Sequence, residues 1–281
     1  MRCDSHVHIV GPIERYPQLP TRTYLAGVAG LGELQRRGAA RDVSRFVIVQ
    51  PSFYGSDNTL LLESLDALGG AGRGVAVVDA AAAMPDQLAD YARRGVRGLR
   101  VNLYSTAVAR DAKRLDLAFA PMAGLARPLG WHLEVIASID VLADSADLLA
   151  RAAVPVVIDH YGVYGKSGPE SAEGKRLLDL LRLPHVWVKL SAPYRVSDDP
   201  LSTRPDQAWL GAILAVAPDR CVWGSDWPHT PSHELHRGPS IPVPYRDLSY
   251  ERMVDDFLAA LPSRNLAERI MRDNPERLYG F

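Results

Sequence analysis

The chain has 281 residues, 47% apolar and 23% charged, with a net charge of -1 and a pI near 6.7. This balance is ordinary for a globular protein and argues against a nucleic-acid partner or an acidic-tail interaction. Cys3 and Cys221 are too few for a disulfide framework or a cysteine-rich zinc site, and neither a bilayer-length apolar run nor a signal peptide is present, so the expected compartment is the cytoplasm.

In chain order, the first apolar run, 3–9, predicts a strand that places His6 and His8 on one face and Val7 on the other. A short helix at 31–37 is the weakest of the predicted connections. Strands are predicted at 46–50, 74–78, 98–103, 132–136, 156–159, 186–190 and 221–223. These runs are nearly all continuous rather than alternating, as expected of strands buried on both faces. Three- and four-residue apolar spacing predicts helices at 59–68, 86–94, 117–129, 141–152, 175–181, 207–217 and 250–261. Pro85, Pro121 and Pro205 are read as lying near helix starts.

Eight strands alternating with helices fit a (β/α)8 TIM barrel, read as one domain over 1–281. A doubly wound sheet fits less well, because no glycine-rich phosphate loop follows any strand. Long irregular stretches cover 11–28, 161–173, 191–205 and 228–249. The last three directly follow strands and would crown the C-terminal face, where barrel enzymes hold their sites.

Polar residues recur at the strand ends: His6 and His8, then Ser52 past strand 2, Arg100 and Asn102, Asp159 and His160, Lys189 through Arg195, and Ser225 through His229. A barrel gathers these positions at one mouth. Asp226 there can take a proton from water and return it to a leaving alkoxide, against the bland reading of a turn aspartate. His160 is either a structural histidine or, beside His6 and His8, a group that polarises a carbonyl. Arg195 on a mouth loop suits a substrate carboxylate, whereas Arg100 inside a strand must enter the mouth or be paired in the core. Lys189 is a buried ion-pair member or a mouth cation, and His229 a supporting or loop residue.

Four segments, Asp4-Ser5-His6-Val7-His8, Val157-Ile158-Asp159-His160, Trp223-Gly224-Ser225-Asp226-Trp227-Pro228-His229 and the closing Asn274-Pro275-Glu276-Arg277-Leu278-Tyr279-Gly280-Phe281, resemble the amidohydrolase superfamily. Gly11-Pro12-Ile13-Glu14-Arg15-Tyr16-Pro17 and Val188-Lys189-Leu190-Ser191-Ala192-Pro193-Tyr194-Arg195 are similar to its branch of lactone-ring hydrolases typified by 2-pyrone-4,6-dicarboxylate lactonase. The resemblance implies an amidohydrolase-type barrel that hydrolyses a small carboxylated lactone: a pyrone dicarboxylate, a muconolactone or a sugar-acid lactone. It matches Asp226, His6, His8 and His160 to the catalytic set and Arg100, Arg195, Tyr24 and Ser52 to substrate contacts.

A binuclear metal centre bridged by a strand-4 lysine is not expected, because 98–102 reads Gly-Leu-Arg-Val-Asn and a guanidinium stays protonated. The preferred expectation is a reaction without an obligatory metal. The alternative is one divalent ion such as zinc on His6, His8, Asp226 and His160. Val163 and Ile136 stand where the pyrone-dicarboxylate enzymes carry a basic residue and a tyrosine, which weakens the case for a substrate with two carboxylates. The rival readings are a sugar-acid lactone isomerase of the same superfamily and a non-catalytic metabolite-binding barrel. A homo-oligomer is compatible with the chain.

Overall fold

The computed structural model describes residues 1–104, 112–231 and 237–281. Part of the predicted 228–249 loop therefore lies outside the described residues. Eight strands run in the order β1 to β8: β1 (Arg2–Val7), β2 (Val43–Val49), β3 (Gly72–Ala76), β4 (Val96–Asn102), β5 (His132–Ile136), β6 (Val156–Ile158), β7 (Val186–Ser191) and β8 (Cys221–Gly224). Each pairs in parallel with the next. Helices alternate with them: α1 (Leu31–Ala39), α2 (Thr59–Leu68), α3 (Pro85–Arg93), α4 (Ala112–Ala126), α5 (Ile139–Asp144), α6 (Ala146–Ala150), α7 (Ala172–Leu181), α8 (Gln207–Val216) and α9 (Tyr250–Ala260). The chain then continues through α10 (Arg264–Glu268), a π turn and α11 (Asn274–Tyr279). This is the expected (β/α)8 barrel. No helix among the described residues is long and apolar enough to cross a membrane.

The ring closes just beyond β8. Asp226 N–H donates to His6 O at 2.9 Å, His8 N–H donates to Trp227 O at 2.8 Å, and Val7 bridges Trp227 in parallel. The residues that complete the barrel are thus neighbours of the candidate chemistry. Gly224 permits the approach: a Cβ there would stand 2.6 Å from His6 Cβ and 2.8 Å from His6 N. Between Asp4 and Val7 the pairing of β1 with β2 slips by one residue. Such a bulge re-aims side chains, and here it lies beside His6.

Four expectations about elements are corrected. The third strand lies at Gly72–Ala76 and ends early because the Asn58 side chain captures Val77, accepting from its N–H at 3.1 Å and donating to its carbonyl at 2.7 Å. The helix expected over 141–152 is two short ones, broken where Ser145 leaves the helical basin with φ -94° and ψ 11°. Pro121 lies inside α4 rather than near its start, because the helix is already formed at Ala112 and buries Leu115, ahead of the predicted start at 117. The strand predicted to reach Ile9 ends at Val7, with His8 paired beyond it to the closing segment.

Candidate active site

The C-terminal strand ends bring seven of the eight predicted residues to one cavity: His8, Tyr24, Ser52, Arg100, His160, Arg195 and Asp226 all line it. Pro51, Phe53 and Ile136 give it an apolar wall, and its volume is about 20 Å³, roughly the space of one water molecule. The eighth, His6, sits directly behind, fully buried. A much larger groove of about 840 Å³ opens beside the N-terminal strand ends, around Arg2, Phe46 and Leu258. It gathers no histidine, so the site is assigned by chemistry rather than by size.

Asp226 is completely buried. Its Oδ2 accepts from Tyr194 Oη at 2.7 Å and from Arg195 Nε at 2.7 Å. Its Oδ1 has no hydrogen-bond partner among the described residues, yet lies 3.2 Å from His8 Nε2 and 3.5 Å from His6 Nε2. Burial alone would raise this carboxyl. The Arg195 guanidinium, the neighbouring imidazoles and the His8 contact outweigh burial and hold it well below the usual carboxylate range. His8 is oriented from behind, its Nδ1 lying 2.7 Å from the Val49 carbonyl. A carbonyl oxygen only accepts, so this ring carries a proton on Nδ1.

His160 stands 2.8 Å from Ser191 Oγ through Nδ1, and its ring centroid is 4.7 Å from that of His6. Burial pushes it down to about 4, leaving a neutral imidazole at the mouth. Arg195 also donates through Nη2 to Thr230 Oγ1 at 2.6 Å. Arg100 does both things expected of a strand arginine. It reaches the cavity and donates to Gln50 O at 3.0 Å, and it lies 3.7 Å from Asp159 and 3.9 Å from Glu134. Burial pushes the Tyr24 phenol up to about 12, so it stays protonated. His229 packs edge-on to Tyr194, with ring centroids 5.9 Å apart, and supports the aspartate's partner rather than the cavity.

Beneath the mouth lies a layer of charge that strand-end reasoning missed as a unit. Lys189 is fully buried, hydrogen-bonded to Glu134 Oε2 and 3.6 Å from Asp159. It is the ion-pair member of the two alternatives. Burial and the Asp159 carboxylate push Glu134 up, against the pull of Lys189 and Arg100. Asp159 is held low, with His6 and Lys189 outweighing its burial. The available signal was a charged Glu134 inside the otherwise apolar run 132–136, the same argument that singled out Arg100.

The backbone around these groups is unusual on one side. His160, Tyr161, Val163, Ala192, Asp226 and His229 all take positive φ, between 43° and 67°. All follow β6, β7 or β8.

The amidohydrolase family model matches residues 3–281. The chain belongs to the amidohydrolase family. It is 31% identical to the 4-sulfomuconolactone hydrolase of Hydrogenophaga intermedia over 99% of this chain and 88% of that protein. It is 29% identical to the 2-pyrone-4,6-dicarboxylate hydrolase of Comamonas testosteroni over 98% and 89%. A putative 2-pyrone-4,6-dicarboxylic acid hydrolase from Pseudomonas putida superposes with a TM-score of 0.78 at 29% identity, covering 99% and 97% of the two chains.

Among the described residues of this amidohydrolase two sets of groups could hold a metal ion: His6, His8 and Asp226, and His6, Asp159 and His160. The first set fits a single divalent ion, since two nitrogens and a carboxylate oxygen converge and both His6 Nε2 and Asp226 Oδ1 lack hydrogen-bond partners among those residues.

Proposed function

We propose that this amidohydrolase hydrolyses the ring ester of a small carboxylated lactone, with Asp226 activating water. One observation carries the reading: a buried, ionised Asp226 has one oxygen tied by Tyr194 and Arg195 and the other left facing imidazoles at a cavity that also holds two guanidiniums. Pure binding of an anion needs no such base. The lactone hydrolases among its relatives support the same reaction class.

The steps follow from the groups present. Arg195 and Arg100, which both line the cavity, hold the substrate carboxylate. His8 and His160 with His6 behind them surround the ester carbonyl and take up its developing charge. Asp226 Oδ1 removes a proton from water as the water oxygen attacks the carbonyl carbon. The acyl–oxygen bond then breaks, and the ring oxygen takes the proton back from Asp226. A carboxyl held so low is a strong acid once protonated, which favours this return. A divalent metal held by His6, His8 and Asp226 would add Lewis-acid polarisation of the same carbonyl.

The charge balance favours one carboxylate over two. Arg195 is already opposed by Asp226, and Arg100 by Asp159 and Glu134. Ile136 adds an apolar wall. The test is turnover of mono- and dicarboxylated lactones in 18O-water, with the products analysed by mass spectrometry. Ring opening with one 18O in the new carboxyl is expected, fastest for a monocarboxylate. Rearranged lactone without label would replace hydrolysis by isomerisation, and binding without turnover would leave a metabolite-binding barrel.

A further inference from the structure

The two histidines of the first strand meet different partners on the side away from Asp226. His8 Nδ1 faces a carbonyl and must be protonated there. His6 Nδ1 faces two kinds of rival that demand opposite things. Lys189 Nζ makes a hydrogen bond to it at 3.1 Å, while the carboxylates of Asp159 and Glu134 stand 3.3 and 3.7 Å away. An ammonium has donors only, so its bond requires a lone pair on His6 Nδ1. A carboxylate accepts only, so its bond would require a proton there.

The arrangement around the two rivals decides between them. Lys189 is fully buried and anchored by Glu134 on β5. One of its three protons serves Glu134, and His6 Nδ1 is the nearest acceptor for another. Asp159 Oδ1 makes no hydrogen bond among the described residues, so the His6 ring is not aimed at it, and Lys189 Nζ at 3.6 Å and Arg100 Nη2 at 3.7 Å also oppose its charge.

We propose that Lys189 is a positioning residue that acts through His6: by donating to Nδ1 it puts the His6 proton on Nε2, pointing at Asp226. His6 then turns an N–H toward Asp226 Oδ1, 3.5 Å away. A donor stands behind His6 and an acceptor behind His8, so what lies behind each ring, not its place in the motif, sets the proton on its Nδ1 side.

The consequence is a bias against metal. A ligating nitrogen must offer its lone pair, so metal binding requires His6 to move its proton to Nδ1. That would take one of its acceptors from the buried Lys189, leaving it Glu134, and set a dication near its ammonium. Geometry gives this site a metal-ready donor set, and Lys189 opposes its use. The inference concerns proton placement and holds whatever lactone is turned over.

The test uses the full-length, metal-stripped protein with 15N-labelled histidine. Two-dimensional long-range 1H–15N spectra distinguish the tautomers, and the His6 resonance is assigned by its loss in His6→Gln. The expected wild-type spectrum has His6 protonated on Nε2 and His8 on Nδ1, and a His6 proton on Nδ1 would overturn the proposal. Lys189→Met should move the His6 proton to Nδ1 and tighten zinc binding, measured by calorimetry, at least tenfold. Unchanged or weaker zinc binding by a folded Lys189→Met protein would also overturn it. If that variant does not fold, the wild-type spectrum alone decides.

Discussion

Asp226 divides its two oxygens between different tasks. Oδ2 is committed to Tyr194 and Arg195, and Oδ1 is kept for the proton. Asp226→Asn keeps an acceptor for those donors but removes the base. We expect kcat to fall by roughly 10³-fold, within the range for acid–base groups, with an unchanged far-UV circular dichroism spectrum; near-normal turnover would refute the assignment. Arg195 offers a separate test. A cation beside a carboxylate keeps it ionised to lower pH, so removing the cation must raise the carboxyl. In Arg195→Gln the acid limb of the kcat/KM profile should therefore move to higher pH, by about one unit or more. A limb that stays in place would detach Asp226 from the pH dependence.

The elements deliver these side chains by meeting closely at one seam. Gly224→Ala would push a methyl into the His6 backbone, and we expect a loss of about 1–3 kcal/mol in urea unfolding, together with reduced activity. Gly211 in α8 is the control, because a Cβ there meets nothing. Gly211→Ala should stabilise by up to about 1 kcal/mol. The same seam explains what could be read in advance. Strands buried on both faces are continuous apolar runs, and a parallel barrel brings their C-terminal ends together, so the mouth residues could be grouped from order alone. The end of β3 could not, because Asn58 stops it from another loop. The helices after α9 were missed because 264–279 is rich in charge. Only the Ser263 cap, which accepts from Leu266 N–H, marks their start. The Glu134–Lys189–Asp159 layer stayed hidden because its members come from β5, β7 and the residue just past β6, and pairing across a barrel is set by register, which spacing along the chain does not give.

At the scale of the whole molecule, buried ionisable groups tie stability to pH. Burial holds His6 well down, His132 at about 3, and His160 and His229 at about 4. As pH falls from 6.5 to 4.5 the unfolded chain binds protons at these four positions and the folded chain does not, so stability is lost. Asp4, raised to about 6, and Glu134, raised to about 8, mainly by burial, oppose this because the folded state binds their protons first. Four against two leaves the unfolded chain ahead. The urea midpoint should therefore drop between pH 6.5 and 4.5, and a flat profile would contradict the burial of the histidines. The positive-φ residues divide the molecule in another way. Among the described residues they crowd the loops after β6, β7 and β8, while Tyr24 and Ser52 come from loops without a positive-φ non-glycine residue. Relaxing one such position, as in Ala192→Gly, should raise stability by about 1 kcal/mol and lower kcat by loosening the aim of Tyr194 and Arg195. One half of the mouth is thus costly to alter and tied to the chemistry, and the other half, His8 apart, is freer to vary. New substrate preferences should arise most readily by changing the loop after β1 beyond His8 and the loop after β2, where a substitution can reshape the wall with less disturbance of the reaction.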